Sequence, residues 1–470
     1  MDEANDFIDA YLLTTVNRPA VYNPEVHAKF YDIREELFDF LRRLGTKIMN
    51  SHDKEAEKTV EKIIDMLGII WVMAKTKNHH VVMEEVNTIA RSLFGDCQKQ
   101  ASYESVATYL KTSKKRLQAA LEAKIRIVFT MGHENPDMDT VISSLTEGFR
   151  KSLIDKTTAY IPVIQSTRIP DEIRYLLGDE ISDSILLTSD REYDAAVNSG
   201  QARWILVDHN VSEVQRFVIS ITDHHSLSEK VKKQNISKTC EIVGSTTTLV
   251  VQKFYGMGVD FCERLARILY GATLMDTENR SVRKMTFKDH LIMDDLKEAA
   301  HITDDHQFYK DIMNCLLNTE DAELLFARDY KQDWGIFGFS VVKVKGAFNL
   351  TGKLLKKDLF DRLTALAQKN NKSKNFPLTI VKIADYLDDN QTVNRERIYL
   401  IFNDHVLPEF KQIMFEFISR IIRNEFKGRA QIQVTDTFVD LWGVGDQLSR
   451  KVTAPFFEPI VTDTFTNRIS

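Results

Sequence analysis

The sequence predicts an α/β protein in which a parallel-sheet domain is preceded by an all-helical domain and followed by a smaller α/β domain. Three observations support this interpretation. Apolar residues recur at helical spacing through residues 1–124, short apolar runs alternate with helical segments through 125–318, and helices and strands alternate again through 319–470. We therefore expect domain boundaries near residues 124 and 318.

The N-terminal block is predicted to consist of helices, at about 25–49, 54–75, 81–94 and 103–123. It contains no pattern of residues that indicates catalysis or metal binding. We interpret it as an accessory domain for shielding, for regulation or for contacts within a homo-oligomer.

The middle unit contains five apolar runs that predict parallel strands, at 125–129, 160–164, 185–188, 204–207 and 217–222. Helical segments lie between these runs, and two further helices are expected at about 246–255 and 261–275. This alternation is typical of a parallel sheet covered by helices.

The C-terminal unit is predicted to begin with a helix, a strand and a second helix, at 320–330, 336–344 and 353–370. A strand pair, a long amphipathic helix and a last strand follow, at 378–385, 397–402, 407–426 and 430–434. The lysine- and asparagine-rich segment 369–375 is expected to be an exposed loop.

Composition limits the classes of function. The chain has 470 residues, 43% of them hydrophobic, and a net charge of −6, so it has no global basic field to attract nucleic acid. Its four cysteines lie far apart and indicate neither a disulfide framework nor a zinc ribbon. The N-terminus is acidic, and the longest apolar run, 66–74, is too short to span a membrane. We expect a soluble, cytoplasmic protein.

Residues with metal-ligand chemistry follow several of the predicted strands. The first strand leads to His133, Asp137 and Asp139, later strands lead to Asp208-His209 and Asp223-His224-His225, and Asp276 ends a helical run. Because parallel strands end at the same edge of a sheet, these side chains are expected to meet. Each alone is equally well explained as a helix cap or a hydrogen-bonding residue. Taken together, oxygen and imidazole ligands without thiolate favour Mn²⁺, Mg²⁺ or Co²⁺.

The same residues carry a resemblance. His133 to Asp139, Asp208-His209-Asn210 and Asp223-His224-His225 resemble the successive motifs of the DHH phosphoesterase superfamily. The small-residue run Gly244–Thr248 and the C-terminal Ser449-Arg450-Lys451 resemble motifs of its DHH–DHHA2 branch. That branch comprises family II inorganic pyrophosphatases, exopolyphosphatases and prune-like proteins. The resemblance covers about residues 125–465.

This resemblance implies a two-metal hydrolase with a DHH metal-binding domain and a DHHA2 substrate-binding domain. One metal ion would be held by His133, Asp137 and Asp208. The second would be held by Asp139, Asp208, His224 and Asp276, with Asp208 bridging. His225, His209, Ser449, Arg450 and Lys451 would contact substrate phosphate, and Asp208, His225, Arg450 and Lys451 would take part in catalysis.

The length of the substrate is less clearly indicated. His133 is the choice typical of pyrophosphatases, whereas the segment after Asp276 resembles exopolyphosphatases and prune-like proteins and adds Arg280, Arg283 and Lys284. These basic residues could line a path for a longer polyanion or belong to a solvated loop. A lysine that pyrophosphatases carry before the second domain has no clear counterpart near Leu317.

We therefore expect hydrolysis of inorganic pyrophosphate or short-chain polyphosphate by water that two metal ions activate, with Mn²⁺, Co²⁺ or Mg²⁺ as cofactor. Neither nucleic acid nor membrane is expected as a partner. Three alternatives stay open: a strict inorganic pyrophosphatase, a DHH nucleotide phosphodiesterase, and a non-catalytic, prune-like scaffold protein.

Overall fold

A computed structural model describes residues 38, 41, 54–76, 80–95, 97, 101–332, 337–349, 352–386, 393–425, 431–435 and 438–442. The described chain divides into two units. The first contains the residues up to Ile169 together with Ile173–Tyr309, and the second contains Pro170–Glu172 and the residues from Lys310 onward. The N-terminal helices therefore belong to the same unit as the first sheet. The domain boundaries at 124 and 318 remain predictions.

The first unit is built on a parallel sheet of six strands in the order β3-β2-β1-β4-β5-β6. The strands are β1 Ile127–Met131, β2 Ala159–Ile164, β3 Leu186–Leu187, β4 Ala202–Val207, β5 Val218–Asp223 and β6 Ser237–Cys240. Alternate residues of β1 face opposite apolar clusters, with Phe129 in one and Val128 in the other. The sheet is therefore buried on both faces, as the continuous apolar runs predict.

The helices of this unit are α1 Lys54–Thr76, α2 His80–Phe94, α3 Tyr103–Lys111, α4 Ser113–Glu122, α5 Met138–Ile154, α6 Asp171–Leu177, α7 Asp179–Ser182, α8 Arg191–Asn198, α9 Glu229–Lys232, α10 Thr246–Gly256, α11 Glu263–Asp276 and α12 Phe287–Ala299. Helix α13, Asp305–Leu317, begins in this unit and ends in the second. The helix predicted at 103–123 is interrupted at Thr112. The helix predicted at 25–49 lies outside the described residues apart from positions 38 and 41.

Helix α1 packs directly on α10 through two glycines. A Cβ at Gly68 would lie 2.2 Å from the carbonyl oxygen of Gln252, and a Cβ at Gly256 would lie 2.1 Å from that of Ile64. Only glycine lets the two backbones approach this closely. The helix from the N-terminal block is thus an outer layer of the sheet unit.

The second unit contains a mixed sheet of five strands in the order β10-β11-β9-β8-β7. Its elements are α14 Ala322–Arg328, β7 Gly338–Lys345, α15 Lys357–Lys374, β8 Leu378–Tyr386, β9 Val393–Phe402, α16 Pro408–Glu425, β10 Gln431–Val434 and β11 Phe438–Trp442. Strands β7 and β8 are parallel, and the other pairs are antiparallel. The prediction of a smaller α/β domain is confirmed, whereas its assignment to the DHHA2 type remains a prediction.

One local prediction for this unit is wrong. Residues 369–375 are not a loop, because α15 continues to Lys374 and ends at Asn375 in the left-handed conformation. Asn371 is buried and donates to the carbonyl of Ile401, so a polar side chain supports the helix from inside. Within the described ranges, no helix has the length and hydropathy needed to cross a bilayer.

Candidate metal centre

The candidate site lies where the strand order reverses, at the adjacent carboxyl ends of β1 and β4. This is the usual binding position in an open parallel sheet. His133 follows β1 and Asp208 follows β4, while Asp137 caps α5 and Asp139 lies in its first turn. His224 follows β5, and Asp276 is the last residue of α11.

The first group of potential ligands is formed by His133, Asp137 and Asp208, whose ligand atoms all lie within 4.8 Å of one another. Nε2 of His133 is 3.5 Å from Oδ2 of Asp137 and 3.4 Å from Oδ2 of Asp208. The backbone N–H of Asn135 donates to Nδ1 of His133, on the side of the ring away from the carboxylates that Nε2 faces.

The second group is formed by Asp139, His224 and Asp276, again within 4.8 Å. Nδ1–H of His224 donates to the carbonyl of Val243 at 2.9 Å. This hydrogen bond orients the ring and leaves Nε2 as the nitrogen that faces the carboxylates, the usual arrangement of a metal-binding histidine.

Asp208 lies between the two groups. Its Oδ2 faces His133, and its Oδ1 is 3.3 Å from Nε2 of His224. The hydroxyl of Thr140 donates to Oδ2, and that of Thr246 donates to Oδ1 at 3.0 Å. Burial raises the pKa of Asp208, but hydrogen bonds from the two histidines outweigh it and hold the pKa well below its usual range. Its carboxylate is thus anionic and directed to both groups.

Asp139 is held by the N-terminus of α10. The backbone N–H of Thr246 donates to Oδ2 at 2.7 Å, and the backbone N–H and hydroxyl of Thr247 donate to Oδ1 at 2.8 and 2.6 Å. The hydroxyl of Ser245 also donates to Oδ1, at 2.6 Å. Helix N-termini favour negative charge, which explains how a fully buried carboxylate is tolerated here.

The charge balance of the site fits a divalent cation. Burial and the nearby charge of Asp208 raise the pKa of Asp139 to about 6, and burial and Asp139 raise that of Asp276 well above its usual range. Among the described residues, Oδ2 of Asp276 is buried without a hydrogen-bond partner. Crowded carboxylates, an unpartnered carboxylate oxygen and two imidazole groups directed at them form a donor set suited to Mn²⁺ or Mg²⁺.

His225 is the exposed histidine of the site. Asp223 accepts from both the backbone N–H and Nδ1–H of His225, at 3.0 and 2.9 Å, and Asn210 donates to the other oxygen of Asp223 at 2.7 Å. The side chain of His225 is 58% exposed, so its Nε2 is available to a ligand. No role is predicted for Asp223 or Asn210 from the sequence, although both belong to the motifs Asp208-His209-Asn210 and Asp223-His224-His225.

His209 is oriented differently. Its Nδ1–H donates to the carbonyl of Val207 at 2.9 Å, and within the described part of the chain its buried Nε2 has no partner. Burial lowers the pKa of His209 to about 4, which keeps the imidazole neutral. In this tautomer Nε2 accepts hydrogen bonds, so it suits a water molecule or a protonated phosphate oxygen better than an anionic one.

The structure thus brings together all six residues predicted as metal ligands, with His225 beside them. Ser449, Arg450 and Lys451, predicted to bind phosphate, lie outside the described residues.

Comparison with known proteins finds a family match in the middle of the chain. Residues 127–273 match the DHH family, N-terminal domain. A probable manganese-dependent inorganic pyrophosphatase of Streptococcus pyogenes serotype M5 is 24% identical over 183 residues, which cover 37% of this chain and 56% of that protein. A protein of the same description from Archaeoglobus fulgidus is 25% identical over 188 residues, covering 38% and 58%. The chain therefore matches a little over half of the length of these relatives.

Among solved structures, a Methanococcus jannaschii protein assigned to the family II inorganic pyrophosphatases is 19% identical. It has a TM-score of 0.48 and covers 71% of this chain and 99% of its own. The resemblance to the DHH superfamily, predicted from the motifs, is confirmed by the family match.

Proposed function

We propose that this chain, whose residues 127–273 match the DHH family, hydrolyses inorganic phosphoanhydrides with the help of two divalent cations. The observation that carries the proposal is the position of Asp208, whose two carboxylate oxygens face different ligand groups. A single carboxylate directed to both groups is suited to bridge two metal ions. Manganese is the favoured cofactor, because the ligand types suit it and the named relatives are manganese-dependent.

The roles of the residues follow from their positions. His133, Asp137 and Asp208 would hold one cation, and Asp139, Asp208, His224 and Asp276 the other. When bound, such a pair of cations polarises phosphoryl oxygens and lowers the pKa of a water nucleophile. His225, oriented by Asp223, would contact a substrate phosphate through its exposed nitrogen. Arg450 and Lys451 are proposed to bind the outer phosphates, since guanidinium and ammonium groups suit phosphate oxygens.

The basic residues after Asp276 bear on the choice of substrate. Arg280 is engaged by Asp294 and lies 3.6 Å from Asp305, so its charge is already compensated. Lys284 also has an acidic partner, Glu278 at 3.1 Å, but it differs from Arg280 in that its ammonium group donates to the backbone carbonyl of Asp276 at 3.0 Å. An ammonium group beside a ligand residue supports short-chain polyphosphate as a substrate in addition to pyrophosphate.

A phosphate-release assay tests the function. The full-length protein is compared on pyrophosphate, tripolyphosphate and long-chain polyphosphate, with Mn²⁺, Co²⁺ or Mg²⁺. We expect release with Mn²⁺ and loss of nearly all of it in Asp208→Asn and Asp139→Ala. Asp179→Asn, at an exposed aspartate, is the matched control.

Full activity in Asp208→Asn would contradict the metal assignment. No phosphate from any of the three substrates would contradict the function itself and favour the scaffold or nucleotide alternatives.

A further inference from the structure

Asp289 is a fully buried carboxylate at the start of α12. Within its own helix it completes a capping box with Thr286, whose backbone N–H and hydroxyl both donate to Oδ2 at 2.7 Å. A capping box explains why an acidic residue stands at this position. It does not explain the remaining contacts of Asp289.

Those contacts reach the loop before α10. The backbone N–H of Gly244 donates to Oδ2 of Asp289 at 2.7 Å, and the hydroxyl of Thr248 donates to Oδ1 at 2.7 Å. Gly244 and Thr248 flank the residues Ser245–Thr247, which supply the four hydrogen bonds to Asp139. Asp289 therefore holds both ends of the segment that binds this candidate metal ligand.

The same loop also packs against the neighbour of a second candidate ligand. A Cβ at Gly244 would lie 2.7 Å from Cγ2 of Thr277 and 3.1 Å from Cγ of Asp289. Thr277 directly follows Asp276. Movement of Gly244 would thus disturb the chain beside Asp276 as well as the segment that holds Asp139.

We propose that Asp289 is a positioning residue for the second metal ion, acting through Gly244 and Thr248 on Asp139 and Asp276. The proposal rests on the two-metal function given above. Residues that orient metal ligands through hydrogen bonds commonly change metal affinity about 10- to 100-fold when they are removed. We expect an effect of this size on Mn²⁺ binding.

The test is calorimetric titration of the metal-free, full-length protein with Mn²⁺ in the absence of substrate. Asp289→Ala and Thr248→Val are expected to weaken one of two Mn²⁺ binding events about 10-fold or more and to leave the other unchanged. Asp289→Asn should bind more tightly than Asp289→Ala, because its amide oxygen still accepts and its amide N–H can donate to Thr248. Thr286→Ala, which removes the hydroxyl and methyl groups of the capping threonine but leaves Asp289, Gly244 and Thr248 in place, is the control and should weaken Mn²⁺ binding much less than Asp289→Ala.

Unchanged Mn²⁺ affinity in Asp289→Ala would overturn the proposal. If Asp289→Ala does not fold, unchanged affinity in Thr248→Val would do so. Equal weakening by Thr286→Ala would assign the effect to the α12 cap and also overturn it. If the unaltered protein binds no Mn²⁺, the proposed two-metal function fails instead.

Discussion

The carboxylate of Asp139 and the backbone N–H of Thr246 form a 2.7 Å hydrogen bond that joins the first turn of α5 to the first turn of α10. The two residues are 107 positions apart in the chain. Helix α5 begins beside two candidate ligands, and α10 supplies hydrogen-bond donors to one of them. The helix N-terminus lets Asp139 remain buried beside other carboxylates. The orientation of this candidate ligand therefore depends on hydroxyl and backbone donors as much as on its own position.

The hydroxyl of Thr247 provides a specific test of this dependence. Thr247→Val keeps the shape of the side chain but removes the 2.6 Å hydrogen bond to Oδ1 of Asp139. We expect the Mn²⁺ concentration for half-maximal phosphate release to rise about 10-fold. Thr146→Val is the matched control, since that buried hydroxyl donates only to carbonyls of its own helix. Equal changes in the two variants would show that Thr247 has no special role.

The crossing of α1 and α10 predicts a large effect of a single methyl group. Gly68→Ala places a Cβ only 2.2 Å from the carbonyl oxygen of Gln252, so the helices must separate. Overpacking of this kind costs about 1–3 kcal/mol, which outweighs the gain of about 1 kcal/mol in helix propensity. Urea unfolding should show lower stability than in Gln118→Ala, at an exposed helical position. Unchanged stability would mean that α1 does not pack on α10 in solution.

Much of the fold could be predicted because the β-branched runs and helical periodicity are strong where the core is apolar. Strand β6, Ser237–Cys240, was missed because it is a polar edge strand that lacks an apolar run. Strand β11 was missed because Asp440, buried against Arg397, interrupts its apolar pattern. Sequence patterns indicate which apolar residues are buried, but they do not reveal which charged residues are buried with an oppositely charged partner.

The candidate site also has residues that the sequence predicts and residues that it does not. The six potential ligands could be predicted because carboxylates and imidazoles follow strands that end at one edge of the sheet. The roles of Asp223 and Asp289 could not, because each depends on partners brought from other elements, such as Asn210 or Gly244. Ligand identity can be read from residue type, whereas ligand orientation arises from tertiary contacts.

A buried ion cluster connects α1 to the helices of the sheet unit. The guanidinium of Arg150, with no exposed surface, pairs with Glu61 and Glu147 at 2.7 Å, and Nζ of Lys253 lies 3.7 Å from both carboxylates. Glu61→Gln removes one of the negative charges that neutralise the buried Arg150 and Lys253. Breaking a buried ion pair lowers the free energy of unfolding by about 3–5 kcal/mol. Urea unfolding at pH 7 measures this loss, with Glu298→Gln as an exposed control. A loss no larger than that of the control would contradict a buried cluster.

The same cluster predicts how stability changes with pH. Burial raises the pKa values of Glu61 and Glu147, but the charges of Arg150 and Lys253 and hydrogen bonds, with Lys151 adding to the effect on Glu61, together outweigh it. They lower the pKa of Glu147 to about 2 and that of Glu61 well below its usual range. The unfolded chain therefore binds these protons more readily than the native state. The stabilisation is complete above the ordinary glutamate pKa of about 4.3 and is lost as the pH falls toward 2.

Unfolding free energies measured between pH 7 and pH 3 should fall less steeply in Glu61→Gln than in the unaltered protein. Metal-free samples are needed, so that acid release of Mn²⁺ does not contribute. Parallel curves for the two proteins would show that the carboxyl of Glu61 titrates normally.

Lys284 tests the length of the substrate. Its ammonium group lies beside the candidate ligand Asp276. A linear polyphosphate bound at the proposed metal centre carries more phosphate groups than pyrophosphate, and we expect one of them to approach Lys284. Lys284→Met keeps the aliphatic stem of the side chain and removes its charge. One charged contact to phosphate contributes about 1.5 kcal/mol, so the KM for tripolyphosphate should rise about 10-fold. The KM for pyrophosphate should change less. Lys230→Met, at an exposed lysine of α9, controls for the loss of one positive charge. Equal increases in KM for both substrates would remove the distinction and favour a pyrophosphatase in which Lys284 only supports the carbonyl of Asp276.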